Sequence, residues 1–245
     1  MVSIIMPAYN AEMTIKTSVD FVLLQTYEDW ELIIIDDAST DSTASNIPDD
    51  PRITVITNEH NMGIARSRNI GLSRAQGDYF AFLDSDDIWK KEKLEIQLDF
   101  MKYENAAISY TATAYMNAAG ELHNYVLEAE KKLYYNNLLK RNLMSCSSVM
   151  VRRDAMIPFP EDVEMHEDYA VWLQILRKTG CAYGINNPLL IYRMYKNSRS
   201  GGRLTSALLI YRTYRHVGYG LFTSVFYTLR YASHSIHKRF LIEKE

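Results

Sequence analysis

Along the front of the chain, short unbroken apolar runs alternate with stretches in which apolar positions return at helical spacing. VSIIMPAY, from Val2 to Tyr9, has the length and continuity of a buried strand, and Asn10 is placed to cap a helix carrying Ile15, Val19, Val22 and Leu23. WELIIIDD, from Trp30 to Asp37, predicts a second strand that ends in two aspartates, and RITVIT, from Arg52 to Thr57, a third. A helix is expected from about Ile64 to Ala75, stopped by Gly77, followed by a fourth strand in YFAFLD and a helix from about Lys90 to Tyr103. Strands and helices in this order predict an α/β fold, a mixed and mostly parallel sheet flanked by helices.

After Tyr103 the pattern changes. AAISYTATAYM and GELHNYVLEAE read as strands around a turn at Asn117 to Gly120, SCSSVMVRR (Ser145 to Arg153) as another strand, and EDYAVWLQILRKTG (Glu167 to Gly180) as an amphipathic helix. Beyond Tyr192 comes a basic, glycine-containing loop with Arg193, Lys196 and Arg199 as candidate phosphate contacts, a solvated linker being the plainer reading. The final stretch places Leu221, Phe222, Val225, Phe226 and Leu229 at helical spacing beside basic residues and tyrosines. Such a helix suits a membrane interface, or packing on the preceding domain or on a second copy of the chain.

In open α/β sheets the ligand crevice lies at the carboxyl ends of the strands, so the polar residues found there carry most of the information. The first strand ends in PAYN, the second in Asp36 and Asp37, and the fourth in Asp84, Ser85, Asp86 and Asp87. Three carboxylates in four positions repel one another, and a divalent cation with oxygen ligands would relieve them; the alternative is that Asp86 or Asp87 caps a helix starting near Trp89. Asp37, and less clearly Asp36, can accept from ring N–H or sugar hydroxyl groups, or can serve local capping after Ser39 to Asp41. Glu167 and Asp168 open a helix, where they favour its positive end; alternatively Asp168 acts as a general base. A dinucleotide fold would carry a glycine fingerprint after the first strand, and PAYNAE has no glycine.

Composition narrows the classes further. The 245 residues fit one large domain, or a domain with an appendage, and 47% are hydrophobic, ample for a core. Two cysteines, Cys146 and Cys181, give neither a disulfide framework nor a zinc site, so a reducing, cytoplasmic setting is expected. The amino terminus lacks a basic leader, and Val217 to Leu229 falls short of the roughly 20 residues of a bilayer span, so the protein is expected to be soluble or peripheral. Net charge is −3, unevenly spread: from Arg193 onward 10 Lys/Arg face 2 Glu, a surplus of +8, whereas the first 192 residues hold 17 basic and 28 acidic residues, or −11. A basic, aromatic tail suits an anionic membrane; nucleic acid is disfavoured because no nucleic-acid motif accompanies the charge.

Five segments together resemble family-two inverting glycosyltransferases of the GT-A fold: VSIIMPAYN, LLQTYEDWELIIIDDASTD, NMGIARSRNIGL, GDYFAFLDSDD and EDYAVWLQIL, in that order over about Val2 to Arg193. The resemblance implies a nucleotide-sugar donor, usually a UDP-sugar, whose base lies near Pro7, Ala8, Tyr9, Asp37 and Arg68, with Arg66 as a second contact. It implies that Asp84, Ser85 and Asp86 form a DxD motif holding the diphosphate with Mn²⁺ or Mg²⁺, Asp86 ahead of Asp84 as the direct ligand, and that Asp168 is the base. The acceptor it suggests, with the tail, is a lipid-linked glycan of a bacterial surface polysaccharide, O-antigen, capsule or lipopolysaccharide precursor, at the inner face of the cytoplasmic membrane. The expected division is residues 1–192 as the catalytic domain (1–104 for the donor, 105–192 for the acceptor) and 193–245 as the tail. Two rivals stand beside it: a nucleotide-sugar-binding component without turnover, and a sugar-phosphate nucleotidyltransferase, although PAYNAEMTIKT lacks that class's glycine-rich basic segment. A homo-oligomer is compatible with the sequence.

Overall fold

The structure, a computed structural model, describes residues 1–161, 164–195 and 203–243, with the side chains of all of these except 203, 204, 235–240 and 243. Strands β1 (Val2–Ala8), β2 (Trp30–Asp36), β3 (Ile53–Thr57) and β4 (Tyr79–Phe82) run parallel in the order β3-β2-β1-β4. β1 is buried along its whole length, which is why it reads as a continuous apolar run and not as an alternating one.

Successive residues of these strands serve opposite faces. Ile4, Leu32 and Ile34 pack with Ile15, Val19 and Val22 of α1 (Ile15–Leu23) and Leu94 and Leu98 of α3 (Lys93–Tyr103). Ile5, Ile33 and Ile35 belong to the other cluster, with Trp172 and Ile175 of α5 (Glu167–Thr179). Helix α2 (Ile64–Arg74) lies on that second face, and a Cβ added at Gly71 would stand 2.7 Å from Ile5 Cγ2, so glycine is what lets the helix approach.

The rest of the sheet is mixed. It adds β5 (Ile88–Trp89), β6 (Ile108–Met116), β7 (Leu122–Leu127), β8 (Lys132–Tyr134), β9 (Val149–Arg152) and β10 (Cys181–Arg193). The order becomes β3-β2-β1-β4-β9-β6-β10-β5, with β7 beside β6 and β8 beside β10. β9 runs antiparallel to both β4 and β6 and so joins the parallel half to the mixed half.

Several boundaries differ from expectation. Asn10 does not cap α1, which starts at Ile15; with φ at 49°, its Oδ1 accepts from Thr40 N at 2.9 Å and pins two strand-end loops together. The helix expected from Lys90 begins at Lys93, because Ile88–Trp89 is used as a strand against Leu190 and Ile191. Cys146–Ser148 forms a 3-10 turn, so the strand expected from Ser145 starts at Val149. The long β10 was not anticipated: Gly184, Asn186, Asn187 and Pro188 look like loop residues, and the last three sit where the register with β6 shifts.

Two helices, α6 (Arg203–His216) and α7 (Leu221–Glu243), follow the sheet and dock on α5 through tyrosines. Tyr169 and Tyr214 hydroxyls lie 3.2 Å apart, the hydroxyls of Tyr219 and of Tyr135 in the short α4 (Tyr135–Leu138) 2.8 Å apart, and Arg177 Nη1 of α5 donates to Val217 O at 2.7 Å. Among the described residues no helix is long and apolar enough to cross a membrane.

Candidate active site

The carboxyl ends of β1, β2 and β4 open onto a cleft of about 660 Å³, at the point where strand order reverses. Of the residues singled out in the sequence, Pro7, Ala8, Tyr9, Asp37, Asp84, Ser85 and Asp86 line it. Arg68 lies behind the wall and Asp168 adjoins Glu167, which does line the cleft. Arg66 is exposed, 3.9 Å from Glu161, and is not part of the lining.

Asp37 is buried by the loop it organises. Its Oδ1 accepts from Asn58 Nδ2 at 2.7 Å and Met62 N at 2.8 Å, and its Oδ2 accepts from Gly63 N at 2.8 Å. About three of a carboxylate's four acceptor positions are thus filled, so Asp37 shapes the turn into α2 while bordering the cleft. Gly63, at φ 86°, provides the left-handed residue that turn requires. Local capping after the second strand falls instead to Asp36, whose Oδ1 accepts from Ser39 N at 3.0 Å.

The three carboxylates of DSDD have separate fates. Asp87 is fully buried; its Oδ2 accepts from Ser147 Oγ at 2.6 Å and its Oδ1 from Arg193 N at 3.0 Å, which ties the exit of β4 to the end of β10. Neither Asp86 nor Asp87 caps a helix, since α3 starts at Lys93 with Glu92 at its cap position. Asp84 Oδ1 accepts from Arg68 Nη2 at 2.7 Å, and Asp84 N donates to Ser147 Oγ at 3.0 Å. Asp86 is lifted to a pKa of about 6 by burial and by the charge of Asp84, with Arg193 opposing. Arg193 is held by backbone carbonyls: its Nε donates to Asp86 O at 3.0 Å and its Nη1 to Ala118 O at 3.3 Å. Lys196 and Arg199 lie outside the described residues.

This donor set fits a hard divalent cation of one kind. Among the described residues no three His, Cys, Asp or Glu side chains converge as a protein-only cage. Asp84 and Asp86 are instead a carboxylate pair whose mutual repulsion raises the affinity of Asp86 for a proton. One or two carboxylates completed by phosphate oxygens and water are what Mg²⁺ and Mn²⁺ accept.

Arg68 connects the two sides of the site. Only 2% exposed, it reaches Asp84 with one nitrogen and Glu167 Oε1 with the other, at 2.7 and 3.0 Å. Burial alone would lower its pKa, but the acidic groups around it, Asp84, Glu167 and Asp168 among them, raise it well past its ordinary value. Asp168 is half-buried in the first turn of α5; its Oδ1 accepts from Tyr169 N at 2.7 Å. Its carboxyl is raised to about 6, chiefly by burial and then by the charge of Glu167, with Arg68 pulling the other way. A carboxyl so tuned is charged at neutral pH yet basic enough to take a proton.

Sequence reasoning did not find the Glu167 ion pair or the role of Ser147. For Glu167 the only signal was its place beside Asp168; for Ser147, inside SCSSV, there was none.

Residues 3–157 match the profile of Glycosyl transferase family 2. This chain belongs to glycosyl transferase family 2. A Bacillus subtilis (strain 168) glycosyltransferase named for teichuronic acid biosynthesis, TuaG, is 39% identical over 246 residues, 98% of this chain and 97% of that protein. The Escherichia coli UDP-Glc:α-D-GlcNAc-diphosphoundecaprenol β-1,3-glucosyltransferase WfgD is 40% identical over 207 residues, covering 83% of this family 2 member and 81% of its own length. Two solved structures share the fold at low identity. S. aureus TarS 1–349 with UDP-GlcNAc has a TM-score of 0.71 at 18% identity, over 98% of this chain and 72% of that one. Mannosyltransferase PcManGT from Pyrobaculum calidifontis with GDP-Man and Mn²⁺ has a TM-score of 0.71 at 17% identity, over 99% and 72%. The fold of this family 2 glycosyltransferase is thus the GT-A fold that the five segments implied.

Proposed function

We propose that this glycosyltransferase moves a sugar, with inversion, from a UDP-sugar to a hydroxyl of a lipid-linked glycan during assembly of a bacterial surface polysaccharide. The observation that carries the reading is Arg68: one buried guanidinium joins Asp84, on the diphosphate side, to Glu167, the neighbour of Asp168. The residue sets on either side then have distinct tasks. Pro7, Ala8, Tyr9 and Asp37 border the nucleoside end of the cleft, and Asp84, Ser85 and Asp86 its diphosphate end. A bound Mn²⁺ or Mg²⁺, held by Asp86 with Asp84 and diphosphate oxygens, would supply positive charge against the departing diphosphate.

Asp168 takes the proton of the acceptor hydroxyl as that oxygen forms its bond to the anomeric carbon. The bond from that carbon to the diphosphate oxygen breaks on the opposite face, and the electron pair leaves with UDP. Attack and departure on opposite faces convert an α-linked donor into a β-linked product. No acid is required for the leaving group, unlike in glycoside hydrolysis. The names of TuaG and WfgD support a surface-polysaccharide role, and the diphosphoundecaprenol in WfgD's name supports a lipid-linked acceptor. We take residues 1–192 as the catalytic domain and 193–245 as its appendage, peripheral on the inner face of the cytoplasmic membrane.

The test is turnover by the purified full chain against a panel of UDP-sugars, and separately against UTP with sugar 1-phosphates, with and without Mn²⁺, reading UDP, pyrophosphate and free sugar. UDP release coupled to sugar transfer is expected. Release of pyrophosphate from UTP and a sugar 1-phosphate, with no UDP formed from any UDP-sugar, would replace the reading with nucleotidyl transfer, and UDP-sugar binding without turnover would replace it with a binding component.

A further inference from the structure

We infer that the outer face of α7 is a docking surface for an anionic lipid bilayer. Helical geometry puts positions 221, 222, 225, 226 and 229 on one side of α7 and 224, 227 and 231 on the other. The second side is the packed one. Ser224 is fully buried, the rings of Tyr227 and Tyr214 lie 5.6 Å apart, and those of Tyr231 and Tyr169 lie 5.9 Å apart. The first side carries Leu221, Phe222, Val225, Phe226 and Leu229, with exposures from 44% at Val225 to 87% at Phe222. Scattered apolar side chains are ordinary on a surface, but five in one stripe mark a place where something binds.

Charge selects the occupant. Arg215 and Arg230 are exposed on the same two helices, and residues from 193 onward carry +8 against −11 on the remainder. A second copy docking through this face would bring like charge against like charge. An anionic bilayer attracts the tail, repels the acidic body, and so turns the apolar stripe of α7 toward the lipid. Tyr231, on the packed side, rests on Tyr169, the residue after Asp168. Helix α7 thus stands between the lipid-facing side and the helix that carries the proposed base. The use of this surface, though not the evidence for it, rests on the lipid-linked acceptor proposed above: the sugar to be extended would arrive beside the base while its lipid stays in the bilayer.

The experiment is co-sedimentation of the full chain with vesicles of phosphatidylcholine alone or mixed with phosphatidylglycerol. Wild type should bind the anionic vesicles, and Phe222→Asp/Phe226→Asp should lower the partition coefficient by roughly tenfold or more. Phe222→Ser/Phe226→Ser, which adds no charge, should give a smaller loss in the same direction, with circular dichroism and UDP binding unchanged in both. Absence of wild-type binding would overturn the inference, as would binding at the wild-type level by both double variants. A wild-type dimer that either variant converts to monomer would also overturn it, by showing a second copy on this face. Vesicle binding without donor turnover would leave the surface standing and sink the enzymatic reading, and turnover without vesicle binding would do the reverse.

Discussion

At the cleft, five carboxylates (Asp84, Asp86, Asp87, Glu167 and Asp168) gather, and partners from distant segments hold three of them: Arg68 pairs with Asp84 and Glu167, and Ser147 and the backbone of Arg193 donate to Asp87. On the outer face of α7, five apolar side chains stand in water. Both arrangements are uncomfortable for an isolated chain, and for opposite reasons. The cluster concentrates like charge in a partly dehydrated place, which raises the proton affinity of Asp86 and Asp168. The helix face leaves hydrophobic area uncovered. The cluster is expensive to alter because its members depend on one another, whereas the α7 face can be altered cheaply because the fold does not lean on it.

The sharpest way to break this contrast is at Asp168. Asp168→Asn should lower the transfer rate by about 10²–10⁴-fold, since an amide cannot take the proton, while UDP binding by calorimetry and vesicle binding stay as in wild type. A loss of only a fewfold would remove the base assignment.

Next in size is Arg68→Met, which leaves Asp84 and Glu167 facing each other without their shared cation. Stability should fall by about 3 kcal/mol or more, read from the urea midpoint at constant slope. A change within error would mean that the pair is decorative.

The pH profile tests the environment of Asp168 directly. With its carboxyl at about 6, the base is charged above that pH and protonated below it, so the transfer rate should fall by about tenfold per unit on the acid side. The stability term runs the other way. Because the folded pKa is raised above the unfolded value of about 3.9, this carboxyl penalises the fold progressively as pH climbs from about 4 through 6. An acid limb in kcat/KM near pH 4 would show that the site does not hold Asp168 as described.

The smallest effect belongs to α7. Phe222→Ser should change stability by no more than about 0.5 kcal/mol and leave transfer to a soluble acceptor untouched. A cost of several kcal/mol would show that the apolar stripe is part of the fold after all.

The parallel half of the sheet was readable because buried parallel strands must be continuous apolar runs, and VSIIMPA and WELIIID have that form. β10 was hidden for the converse reason. Its Asn186–Pro188 segment violates strand propensity, and only neighbours remote in sequence accommodate it, as when Asn186 Oδ1 accepts from Ala129 N at 3.0 Å. Residue types alone also could not tell which aspartate of DSDD would face the cleft. Asp87 became structural because Ser147, 60 positions away, donates to it.

The sequence by itself determined the layered α/β framework, the acidic character of the strand ends and the basic, apolar tail, because periodicity and charge are properties of neighbouring residues. Tertiary structure alone decided what each carboxylate contacts and which face of α7 stays uncovered. Proton affinity and burial depend on groups brought together from far along the chain, and no local pattern encodes that proximity.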